Sequence, residues 1–125
     1  MLSSLDIVPL AVAVAGGALP TDRVFDGRNP LPALLDGAAS PHQALHWVWN
    51  QGRKEQWQAM REGNFKLLRS ADNAPWELYD LATDIGEARN LAASQPEKLR
   101  ELITHFEKWR ASIAADPTRS PSLRR

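Results

Sequence analysis

Leu99, Leu102, Ile103, Phe106, Trp109 and Ile113 recur at steps of three and four residues, with Lys98, Arg100, Glu101, Lys108 and Arg110 largely opposite. This stripe specifies a helix over about 95–114. It also dictates what else the chain must build, because a helix apolar along one side is stable only when that side is covered. Ser94-Gln95-Pro96-Glu97 fits a capping box at the helix start, where a serine oxygen and a glutamate carboxylate each accept from a backbone N–H. With 125 residues there is room for one modest domain.

The cover is legible in the middle of the chain. Leu45, Trp47 and Trp49 alternate with His46 and Val48, the period of a strand. Two further runs flank Gly63-Asn64, residues that tolerate the positive φ of a tight hairpin turn. Trp76 to Leu81 alternates again. Strands are therefore expected at about 45–49, 57–62, 65–69 and 76–81, forming an antiparallel meander. Laying the helix across one face gives an α+β fold with a small four-stranded sheet. The five tryptophans supply large rigid surfaces that favour burial.

Ahead of this unit an apolar helix is expected over about 6–16. Asp6 is placed to cap its amides, Pro9 sits in the first turn where its missing N–H is harmless, and Gly16-Gly17 ends it. Ile7, Val8, Leu10, Ala11, Val12, Val14 and Ala15 leave it apolar on nearly every side, as in a helix buried all round. Its length resembles a signal-peptide core, but no Lys or Arg precedes it, and Asp6 and Pro9 interrupt it. It is also shorter than the about 20 apolar residues a bilayer requires. Residues 20–41, rich in Pro, Gly and Asp, read as an irregular linker with at most one helical turn around Leu31, Leu34 and Leu35. The tail, residues 116–125, is expected to be disordered.

Fifteen basic residues balance fifteen acidic ones, so the field that would recruit nucleic acid or an anionic membrane is missing and neither partner is expected. Trp49, Arg53, Lys54, Trp57, Arg61 and Lys66 do interleave aromatic and basic side chains, yet strand tryptophans more often pack a sheet face. The absence of cysteine excludes a disulfide framework, a thiolate zinc site and a thiol nucleophile. His42, His46 and His105 are expected to be surface or hydrogen-bonded histidines rather than ligands. Asp80, Asp84 and Glu87 fail the spacing of a calcium loop and suit turn roles. No phosphate-cradling glycine loop or Gly-x-Ser-x-Gly elbow occurs. No catalytic residue and no metal ligand is assigned in this chain.

Three segments carry a resemblance. Ser4-Leu5-Asp6-Ile7-Val8-Pro9, with Ala15-Gly16 and Phe25-Asp26-Gly27, is similar to a Ser-x-Asp-apolar-x-Pro-Thr-apolar helix and its following Leu-Asp-Gly. Met60-Arg61-Glu62-Gly63-Asn64-Phe65-Lys66-Leu67 is similar to an Arg-x-Gly-x-Trp/Tyr-Lys-Leu hairpin. Glu77-Leu78-Tyr79-Asp80-Leu81, Asp84, Gly86-Glu87, Asn90-Leu91-Ala92 and Pro96 match the run that leads into a terminal helix. In this order and spacing they resemble the C-terminal part of sulfatases and arylsulfatases of the type-I, alkaline-phosphatase-like superfamily. Leu10 in place of the Thr after Pro9, Phe65 and Ile85 depart from the pattern.

The resemblance implies a parent activity of sulfuric ester hydrolysis. It implies for the complete enzyme a formylglycine made from Cys/Ser-x-Pro-Ser/Thr-Arg and a calcium ion held by Asp and Asn. Those segments normally precede the helix at Asp6, so this chain alone is expected to hydrolyse nothing. Ala115-Asp116-Pro117-Thr118-Arg119 echoes the nucleophile motif, but Ala115 has no atom to oxidise. The same resemblance assigns residues 1–41 to a large catalytic domain, 42–115 to a smaller C-terminal subdomain, and 116–125 to a tail. The implied partners are that catalytic domain and, for the parent enzyme, a sulfated small molecule or sugar. The loop after the first strand is the candidate substrate entrance, with Trp49 able to stack on a ring and Asn50, Gln51 and Arg53 able to bind polar groups. A second reading makes the chain a free-standing accessory module that docks on a separate catalytic chain.

Overall fold

A computed structural model of the chain describes residues 1–49 and 57–115. The chain divides into two compact units, Met1–Gln43 and the remainder from Ala44.

The first unit opens with a 3₁₀ turn, Ser4–Asp6, that runs into helix α1, Ile7–Val14. Asp6 does not cap the amides of α1 as the sequence suggested. Ser3 is the cap of the turn, with its Oγ accepting from Leu5 N at 3.3 Å, while Asp6 Oδ2 accepts from Ser3 N at 2.8 Å in a reciprocal box. Helix α1 ends where expected, in a Schellman motif: Gly16 at φ 69° donates to Ala13 O and Gly17 donates to Val12 O. The linker carries one short helix, α2, Leu31–Leu35. It returns to the 3₁₀ turn at Gly27, where a Cβ would lie 2.0 Å from Leu5 O. Only glycine permits that approach, which lets Arg28 N donate to Asp6 Oδ1 at 2.8 Å.

The second unit is the antiparallel meander in the order β1 (Ala44–Trp49), β2 (Trp57–Glu62), β3 (Phe65–Arg69) and β4 (Glu77–Asp80). Glu62 pairs with Phe65 across the two-residue loop, and only its first residue, Gly63, takes positive φ, the pattern of a type II′ turn. β4 stops before Leu81, whose N–H turns to Asn64 O at 2.8 Å. Helix α3, Pro96–Ala115, covers one face of the sheet. There Met60, Leu67 and Leu78 from successive strands meet Leu102 and Phe106, all fully buried, with Leu91 closing the cluster. The expected capping box does not form, since Ser94 Oγ donates to Leu91 O at 3.2 Å instead of accepting from the helix. Proline at the first helical position supplies the start.

The loop from β4 to α3 is held by short acidic and amide side chains. Asp84 accepts from Ala88 N and Arg89 N, and Asn90 Oδ1 accepts from Leu78 N and Ala92 N, so Asn90 fastens the returning chain to β4. Burial of the tryptophans is only partial. Trp76 and Trp109 pack on the core, whereas Trp47, Trp49 and Trp57 stand exposed on the opposite face.

Candidate functional site

The end of the β1–β2 hairpin carries the described part of the predicted entrance. Trp49 and Trp57 are register partners, so their side chains leave the same face of the sheet. Their rings lie 6.4 Å apart and within 18° of parallel, with Trp49 54% and Trp57 37% exposed. Trp47, two residues back, continues the row on that face. The pair offers an apolar surface on which a flat ring could lie. Asn50, Gln51 and Arg53 fall outside the described residues.

The neighbouring backbone is fixed from the other face. Gln58 is buried; its Oε1 accepts from Arg69 Nη2 at 2.7 Å and Nε at 3.0 Å, and its Nε2 donates to Asp72 Oδ1. The Arg69 guanidinium lies 4.4 Å over the Trp76 ring. This network sets the strand that presents Trp57. Further along the exposed face, Lys66 Nζ donates to both oxygens of Glu87 at 2.6 and 2.7 Å. Glu87 holds φ 54°, unusual for a residue with a Cβ. Tyr79 OH donates to Glu77 Oε2 at 2.6 Å, and that bond, with burial and nearby carboxylates, pushes the phenol up to about 12.

Each histidine has a partner. His42 Nε2 meets Asp6 Oδ1 at 2.7 Å, both side chains nearly buried. Burial alone would raise the Asp6 carboxyl, but the Arg28 and Ser3 amides and His42 outweigh it and hold it below the ordinary value. His46 stacks on Trp109 at 4.3 Å, and burial lowers it to about 4 against the opposing charge of Glu62. His105 Nδ1 lies 3.0 Å from Glu62 Oε2. The sequence read His105 as a surface or hydrogen-bonded histidine and not as a ligand, although Glu101 stands four residues before it and a helix brings such residues together. The contribution of Glu62, on a strand far away in sequence, had no local signal.

No family model matches the chain. It is 30% identical to arylsulfatase G of Canis lupus familiaris and 31% identical to arylsulfatase A of Homo sapiens, in both cases over 98% of its own length. This chain is a C-terminal sulfatase-family region. It spans less than a third of the curated relatives it matches, 28% of the first and 29% of the second. Among solved structures, Ps i-CgsB superposes with a TM-score of 0.74 at 26% identity, over 86% of this chain and 24% of that one. A 2-O GAG sulfatase superposes at 0.70 over 95% of this chain and 28% of that one, and at 22% identity it attests the fold.

Gly27 and Asp6 lock the first segment, Gly63 and Lys66 the hairpin, and Asn90 and Glu87 the return to α3. These are contacts that hold the fold. The catalytic groups of sulfatases do not fit this chain's own residues. It has no cysteine and no Ser-x-Pro-Ser/Thr-Arg run. Calcium takes six to eight oxygens. Among the described residues the cluster with metal-ligand spacing, Glu62, Glu101 and His105, offers one nitrogen and two carboxylates.

Proposed function

We propose that this chain is the C-terminal, non-catalytic segment of a sulfuric ester hydrolase. In this reading residues 1–41 belong with the large α/β catalytic domain, and 42–115 form the smaller subdomain packed on it. Trp49 and the loop that follows line the substrate entrance. The observation that carries the reading is the match to two arylsulfatases over 98% of the chain. The exposed apolar surface of α1 supports it, with Ile7 63% and Val14 70% exposed. Folded monomers rarely leave such a helix uncovered. The calcium and formylglycine belong to the catalytic domain.

A saccharide is the substrate class favoured here. The relative Ps i-CgsB has been solved in complex with k-i-k-neocarrahexaose, and the Trp49–Trp57 pair presents a flat apolar surface of the kind a sugar ring can stack on. Sequencing the genomic DNA upstream of the Met1 codon tests the assignment. A continuous frame encoding Cys/Ser-x-Pro-Ser/Thr-Arg supports it; a promoter with no such frame overturns it in favour of an accessory module. In the complete enzyme, Trp49→Ala is expected to raise KM for a sulfated saccharide about two- to tenfold, the weight of one aromatic contact of about 0.5–1.5 kcal/mol, with kcat little changed. An unchanged KM would remove Trp49 from the entrance.

A further inference from the structure

From the convergence of Glu62, Glu101 and His105 we infer that α3 and β2 together form a binding site for a divalent transition cation of the zinc class. Each of the three side chains offers one ligand atom, and these atoms lie within 4.8 Å of one another. Glu101 and His105 stand one helical turn apart on α3, and Glu62 ends β2 beneath them. The site is thus assembled by packing the helix on the sheet.

The donor set selects the ion. One imidazole nitrogen with two carboxylates suits zinc and its neighbours, whereas calcium and magnesium demand a shell of oxygens. Tetrahedral zinc, with bonds of about 2.0–2.2 Å, places its ligands about 3.3–3.6 Å apart. His105 Nδ1 and Glu62 Oε2, at 3.0 Å, are already near that separation. Glu101 is exposed and, among the described residues, its carboxylate accepts from Lys98 Nζ, at 2.8 Å, across the surface. Releasing an exposed ion pair costs little, so a small rotation of Glu101 completes a three-ligand site with one position left to solvent. His105 Nδ1 donates to Glu62 at present, and cation binding requires the tautomer with the proton on Nε2. The bound ion would staple the terminal helix to the hairpin.

Two explanations compete for this geometry: a cation site, and a plain His105–Glu62 ion pair that has no use for Glu101. Calorimetric titration of the untagged 125-residue chain with zinc chloride separates them. The expected result is a single site in the wild type and a rise in the thermal midpoint with added zinc. Glu101→Gln and His105→Ala should each weaken binding by at least the about ten- to hundredfold seen on losing even an outer-shell partner. Lys98→Ala, which frees Glu101, should bind at least as tightly as wild type. Circular dichroism in EDTA, expected to be unchanged for Glu101→Gln, shows that this variant folds. No binding by the wild type, or binding that survives Glu101→Gln unchanged, overturns the proposal.

Discussion

The Asp6 carboxylate lies buried and accepts from Ser3 N, Arg28 N and His42 Nε2, at 2.8, 2.8 and 2.7 Å. These bonds hold its pKa below the ordinary carboxylate value despite burial, so the folded state favours the ionised form. The stability it confers is fully present above the unfolded value and is lost as pH falls through the folded one. Protection of the Ser3 and Arg28 amides, measured against their intrinsic exchange rates, is therefore expected to fall below about pH 4, and Asp6→Asn should lower it at neutral pH. His46 has the same sign in a different window. The unfolded chain protonates near 6.5 and the folded one at about 4, so stability declines as pH falls between them and is flat above. In EDTA, His46→Phe keeps an aromatic face on Trp109 and should flatten the urea midpoint between pH 7 and 4.5. At this scale the sequence was partly legible. Asp6 was visible as a polar residue at a helix start, but its true partners, Arg28 and His42, lie 22 and 36 residues away, beyond any local pattern.

Periodicity served better for whole elements, because a helix stripe and a strand alternation are imposed by backbone geometry. Leu102 and Phe106 fill the core where the stripe placed them, and Phe106→Ala is expected to cost about 3–5 kcal/mol, read from a denaturant midpoint with unchanged slope. Gly63 was legible for a similar reason: its φ of 58° is a property of the turn, and nothing lies within 4 Å of a Cβ there. What alternation cannot report is which face of a sheet will be covered. Trp47 and Trp49 were correctly placed on one face of β1, yet α3 lies on the other, with His46 and Val48. The Ser94 box failed for a local reason, since a serine hydroxyl can also donate, and the Leu91 carbonyl takes it.

For the molecule as a whole, the two units differ in what they leave exposed. The sheet and α3 enclose a core of their own, while α1 shows Ile7, Val8 and Val14 to solvent. Among the described residues no helix is long and apolar enough to cross a membrane. Ile7→Asp and Val14→Asp are exposed substitutions and should leave the isolated chain within about 0.5 kcal/mol of wild type by chemical denaturation, while weakening its association with a catalytic domain. The resemblance that pointed to this architecture was readable because the motif residues are those whose contacts fix the chain path, Gly27, Gly63 and Asn90 among them. Of the candidate entrance residues only Trp49 can be followed, on the exposed face beside Trp57, because Asn50, Gln51 and Arg53 fall outside the described residues.

The most direct measurement is immunoprecipitation with an antibody against α3, from cells that express this chain, followed by assay with 4-methylumbelliferyl sulfate in calcium. A precipitate that hydrolyses the ester, and an extract depleted of that activity, is the expected result. A precipitate holding the chain alone at 13.9 kDa, with no hydrolysis and no loss from the extract, would contradict the assignment to a working sulfatase.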